Sequence, residues 1–155
     1  MTKIFLFAAV IFFQFISFGG PEQVTCFKDL LDALKSGKIV RVITDYAKCK
    51  LVIDGKEEKA PEAIGGMNIN AFEYFDRGSV RNERAFISAS ETPLILHPRY
   101  GHVLNYVKIR IFEDDEVEIT ARYLDPKTFE VKFDAIYLSS INNNENNAGV
   151  TIFLN

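Results

Sequence analysis

Residues 103–137 alternate apolar and polar side chains in three successive runs, and this pattern constrains the fold more than any other feature of the sequence. Val103, Val107, Ile109 and Ile111 share one parity against Lys108 and Arg110. Val117, Ile119, Ala121 and Tyr123 alternate with Glu116, Glu118, Thr120 and Arg122. Phe129, Val131, Phe133, Ala135 and Tyr137 then alternate with Glu130, Lys132 and Asp134. A period of two gives each strand one apolar face. The acidic run 113–116 and Asp125-Pro126-Lys127 are short turns, so the three strands form an antiparallel meander. A slip of one residue would send every apolar side chain to water, so parity restricts the register. A first turn centred on Asp114 pairs Ile109 with Ile119 and Ile111 with Val117, and sets Arg110 opposite Glu118. A second turn centred on Pro126 predicts Tyr123 opposite Phe129, Ala121 opposite Val131, Ile119 opposite Phe133 and Arg122 opposite Glu130.

Upstream the period changes. Phe27, Leu30, Leu31 and Leu34 follow i, i+3, i+4, i+7 spacing, with Lys28, Asp29, Asp32 and Lys35 on the other side. This predicts a helix over residues 25–36, with Thr25 as N-cap and Gly37 ending it. A helix this short needs an apolar surface to dock on. Leu30, Leu31 and Leu34 are therefore expected to face the sheet, touching positions such as Val40 or Ile109. Residues 39–44 (IVRVIT) read as a strand, and 54–61 (DGKEEKAP) as a solvated loop or weak hairpin. Gly65-Gly66 reads as a bend before a strand starting at Met67, whose alternation blurs at residues 72–75. Residues 85–90 and 93–96 add an apolar stretch in which Pro93 argues for an edge or a bend. The Asn run at 142–147 is expected to be a mobile linker or loop, and 150–154 a last strand. The predicted class is α+β, mainly β: an N-terminal helix packed on a curved antiparallel meander sheet, with closure towards a barrel left open.

The 155 residues suit one domain, and 48% hydrophobic with 25% charged residues is a globular composition. The apolar residues are unevenly spread, however. Six of the 14 phenylalanines fall in the first 18 residues. Lys3, an apolar run over 4–13, and the small residues Ser17, Gly19 and Gly20 have the three regions of a secretory signal, with cleavage after Gly19. Gln14 and the Gly19-Gly20-Pro21 break leave the run shorter than the ~20 residues of a membrane span. The expected organisation is a signal over 1–19, a domain over 20–140, and an Asn-rich tail over 141–155. The mature protein is expected to be secreted or periplasmic and not membrane-spanning.

Export would carry both cysteines, Cys26 and Cys49, into an oxidising compartment, and their even count predicts one disulfide. A helix running out ~15 Å and a strand running back bring Cys49 to the level of Cys26. Closing that loop would contribute roughly 3 kcal/mol in a chain-entropy account. Two reduced thiols are the alternative.

Chemistry-bearing residues are sparse. The two histidines, His97 and His102, flank Pro98-Arg99-Tyr100-Gly101, a turn sequence across which their rings could approach. The spacing matches no zinc motif and marks no third ligand. The acidic run 113–116 lacks the alternating ligands of a calcium loop and reads as a solvated turn. No Gly-x-Ser-x-Gly or phosphate-loop pattern occurs. The aromatic residues Phe72, Tyr74, Phe75, Tyr100, Tyr106 and Tyr123 either line a ligand cavity or belong to the core. A formal net charge of −3 gives no reason to expect nucleic acid. No cofactor or metal is expected.

The run FKDLLDALKSGKIVRV (27–42), with Cys49 after it, resembles the opening of the VirK protein family, where a leucine helix passes through Gly-Lys into a Val-rich strand and a Cys. GGMNINAF (65–72) is similar to that family's second block, and the hairpin over 111–117 to its late Asp-rich turn. The resemblance covers about residues 25–135 and leaves out the Asn-rich tail. It implies a small exported bacterial protein with no assigned catalytic activity, so no functional residue carries over. The function expected is a non-catalytic binding or interaction module for a small molecule or a protein. The alternative is a small secreted hydrolase or metal-dependent enzyme using His97 and His102 with Asp45 or Glu91. A deep pocket holding both imidazoles would favour the enzyme, and a cavity without them the binding module.

Overall fold

The computed structural model describes residues 20–154, so the expected export signal lies outside the described residues. In chain order the elements are β1 (Glu22–Val24), α1 (Phe27–Lys35), β2 (Val40–Asp45), β3 (Lys50–Ile53), β4 (Lys56–Glu58), β5 (Ile64–Ile69), β6 (Glu73–Phe75), β7 (Phe86–Glu91), β8 (Leu94–His97), β9 (Gly101–Phe112), β10 (Glu116–Leu124), β11 (Val131–Ser140) and β12 (Val150–Leu154). They build two antiparallel sheets that do not close into a barrel. The small sheet has the order β1-β12-β2-β5; the large one runs β4-β3-β11-β10-β9-β7-β6, with β8 also on β9. Buried side chains of both sheets and the helix form one apolar core. The class is α+β, mainly β, as the patterning predicts.

The first meander register is as predicted: Ile109 opposes Ile119, Ile111 opposes Val117, and Arg110 opposes Glu118. The second keeps the predicted inward face from Phe133 to Tyr137 but is displaced by four residues, because Ile119 opposes Tyr137 and Tyr123 opposes Phe133; Phe129 and Val131, expected on that face, are exposed. The cause is Asp125. Its carboxylate accepts the N–H groups of Lys127 (2.9 Å) and Thr128 (3.1 Å) and pairs with Lys132 at 2.9 Å, while its carbonyl accepts the Phe129 N–H. Lys132 first, then those two amides, hold the Asp125 carboxyl well below the usual carboxylate range. The turn is thus a built six-residue loop, and Arg122 pairs with Asp134 at 3.0 Å rather than with Glu130.

The helix buries Phe27, Leu30, Leu31 and Leu34, as its stripe predicts. Gly37, at φ 77°, closes it in a Schellman motif: its N–H bonds to the Leu34 carbonyl and that of Lys38 to Ala33. The start differs from expectation. The N-cap residue is Cys26, not Thr25, and its side chain makes no capping bond. Instead the Phe27 N–H donates to the carboxylate of Asp115 at 2.6 Å, a distant residue in the β9–β10 turn. An acid at a helix N-terminus meets both the unpaired amide and the helix dipole.

The C-terminal residues are not an appendage. β12 lies between β1 and β2, pairing with both, and Val150 and Ile152 are fully buried. The Asn run before it is a loop held by its own side chains. Asn143 Oδ1 accepts the Glu145 and Asn146 N–H groups, and Asn146 bonds back to Ile141 O through Nδ2 and accepts the Ala148 N–H. Asn144 and Asn147 take positive φ, which asparagine tolerates.

This strand order also corrects the disulfide. Cys26 and Cys49 are both free. β12 inserts between β1 and β2, and a 3₁₀ turn at Tyr46–Lys48 then carries the chain into the large sheet before Cys49. Cys26 thus follows β1 of the small sheet, whereas Cys49 precedes β3 of the large one. Cys49 Sγ faces the Asp45 carbonyl at 3.4 Å, and burial pushes its thiol up. Alkylation without reductant is expected to label both cysteines in denaturant, and Cys26 well before Cys49 in the native protein. A single unreduced species with no reactive thiol would refute this.

Candidate functional site

Register across the large sheet stacks inward-facing residues in rungs. Ala89, Ile109, Ile119 and Tyr137 form one; Glu91, Val107, Ala121 and Ala135 the next; Asn105, Tyr123 and Phe133 a third. The middle rung has small side chains across β10 and β11, flanked by bulkier rungs on either side. Opposite lie β2 and β5, where Val42 pairs with Met67 and Thr44 with Gly65. Between the sheets is a cavity of about 150 Å³, into which Thr44, Tyr46, Glu91 and Asn105 bring polar groups among apolar walls. Thr44 is only 5% exposed. Wider hollows of about 300 and 390 Å³ beside α1 and at Arg84 are more open to solvent.

Tyr46, in the turn after β2, explains the first of the two glycines. Gly65 and Gly66 lie within β5, not in a bend before it. A Cβ on Gly65 would stand 2.9 Å from Tyr46 Cε2 and 3.0 Å from its hydroxyl, so the ring can lie on the strand only because the residue there is glycine. The other side of the ring packs on Tyr137, 4.7 Å between centroids. Burial first, then neighbours such as Tyr137, pushes the Tyr46 phenol up to about 12. It therefore stays neutral.

The histidines do not converge. In the β8–β9 hairpin His97 opposes Gly101 while Leu96 opposes His102, so the two rings project from opposite faces. His97 Nδ1 accepts the N–H groups of Arg99 and Tyr100, and its ring packs against Tyr100 and Tyr123 at 4.9 and 4.7 Å. His102 is exposed. Neither lines the cavity. Among the described residues no group of three or more His, Cys, Asp or Glu is placed to hold a metal. Of the two acidic partners, Asp45 pairs with Lys48 at 3.4 Å, whereas Glu91 faces the cavity.

The acidic turn is committed elsewhere: Glu113 holds Arg77, Asp114 and Glu116 hold Arg84, and Asp115 caps the helix. The aromatic candidates also fall outside the cavity. Tyr74 packs on Phe27, Phe75 on Phe86, and Tyr123 on Phe133. Phe72 borders a separate surface hollow, and Tyr106 lies on the outer face opposite Arg122. Tyr46, Thr44 and Asn105 carried no signal of their own in the sequence. The one available trace was Gly65-Gly66, since paired glycines inside a strand mark a close approach.

The sequence profile described as VirK protein matches residues 23–129. The crystal structure of a VirK family protein from Legionella pneumophila superposes with a TM-score of 0.64 at 16% identity, covering 84% of this chain and 98% of that one. At that identity the likeness is one of fold. No curated protein matches the sequence.

Proposed function

Because the chain belongs to the VirK protein family, whose fold it shares with the Legionella protein, we propose that it is an exported, non-catalytic binding module whose site is the cavity between the sheets. The observation that carries this reading is the lining, which mixes the apolar side chains of Val42, Met67, Val107, Ile109 and Ile119 with the polar groups of Thr44, Tyr46, Glu91 and Asn105 and includes neither imidazole. Among the described residues no helix is long and apolar enough to cross a membrane. The volume limits the ligand to a small molecule or a small group of a larger one, since a cavity of about 150 Å³ holds a molecule the size of benzene.

A fragment screen read by backbone amide shifts tests the proposal. Hits are expected to move Gly65, Gly66, Glu91 and Asn105, and Val107→Phe, which fills the cavity from its floor, is expected to abolish them. Hits that persist unchanged in a folded Val107→Phe protein would place the site elsewhere. Export has its own test: N-terminal sequencing of the mature protein should begin near Gly20, and a retained Met1 would overturn it.

A further inference from the structure

The charge inside the cavity narrows the ligand, given the reading of that cavity as a binding site. Glu91 is the sole acid in its lining, which contains no lysine, arginine or histidine. Among the described residues Glu91 has no salt-bridge partner. It continues the inward parity of Ile87 and Ala89 on β7, opposite Val107, so the strand itself aims the carboxylate between the sheets. Asn105 lies on the same face of β9, one pleat from Val107.

A ligand entering this cavity displaces water from the carboxylate. A neutral ligand would return hydrogen bonds at most, and an anion would add repulsion; a cation returns both hydrogen bonds and the opposite charge. The neutral groups agree with this choice. The Thr44 hydroxyl, the Asn105 amide oxygen and the Glu91 carboxylate are three acceptors, matching the three N–H donors of a primary ammonium. Val42, Met67 and Ile109 supply an apolar wall.

We propose that the cavity binds a small primary ammonium ion, its nitrogen at Glu91 and Asn105 and its short alkyl chain against Val42, Met67 and Ile109. Three probes of nearly equal shape test this: n-butylammonium, n-butanol and butyrate, each titrated into the purified protein and followed by the amides of Gly65, Gly66 and Asn105. The ammonium is expected to bind at least about tenfold more tightly than the alcohol, and butyrate not measurably. Glu91→Gln should erase the preference for ammonium and leave n-butanol binding in place. Equal affinity for butylammonium and butanol, or a preference surviving in Glu91→Gln, overturns the assignment while leaving the cavity a binding site. Failure of all three probes to move any cavity amide overturns the assignment and that reading together.

Discussion

Replacing Leu30 with alanine will lower the unfolding free energy by about 2–5 kcal/mol, the usual cost of truncating a buried leucine. Leu30 is 0% exposed and sits in the middle of the only helix among the described residues, within the core shared by both sheets. A domain of this size has only about 5–15 kcal/mol of stability in total, so the denaturant midpoint should fall markedly. Lys28→Ala and Asp32→Ala are the controls. That pair is an exposed i, i+4 bridge at 2.6 Å, screened by solvent, so its loss should barely move the midpoint. Equal, small effects from all three substitutions would mean that the helix is not docked.

Ending the chain before β12 should be worse still. A protein lacking residues 148–155 loses Val150, Ile152 and Leu154 from the core and leaves β1 and β2 without the strand that joins them. Removing three buried aliphatic side chains and two strand pairings exceeds the total stability such a domain has. The expected result is a protein without a cooperative melt or dispersed amide resonances. Asn146→Ala, which removes bonds to Ile141 O and the Ala148 N–H, should cost about 1–3 kcal/mol and leave the fold intact. A truncated protein that melts like the full chain would make β12 an accessory strand.

The second meander turn shows how far parity reaches. Which side chains of β10 and β11 face inward follows from alternation from Phe133 to Tyr137, whereas Phe129 and Val131, expected on the same face, are exposed beside a bulge at Tyr123–Leu124. How far the strands slide does not follow, because a shift by an even number of residues preserves the faces. Asp125, binding two backbone amides and Lys132, chose a longer loop than the sequence Asp-Pro-Lys suggests. The Asn run is the loop that its composition predicts, but composition did not show how it is held. Low hydrophobicity says that a segment cannot supply a core, but not that its side chains will fail to hold the backbone, and here Asn143 and Asn146 do so.

The site was legible only in fragments. Glu91 was named as an acidic candidate, and Gly65-Gly66 was noticed for the wrong reason. Tyr46, Thr44 and Asn105 come from three separate stretches of chain and meet only when the two sheets face each other. The sequence by itself determined the class, the docked face of the helix and the inward face of most of the meander, because these depend on periods of two and 3.6 residues within single segments, and the resemblance of residues 27–42 and 65–72 pointed to the family. The tertiary structure alone decided the free cysteines, the central place of β12, the helix cap from Asp115 and the cavity. Each of these depends on which distant strands lie side by side, and no local pattern encodes that.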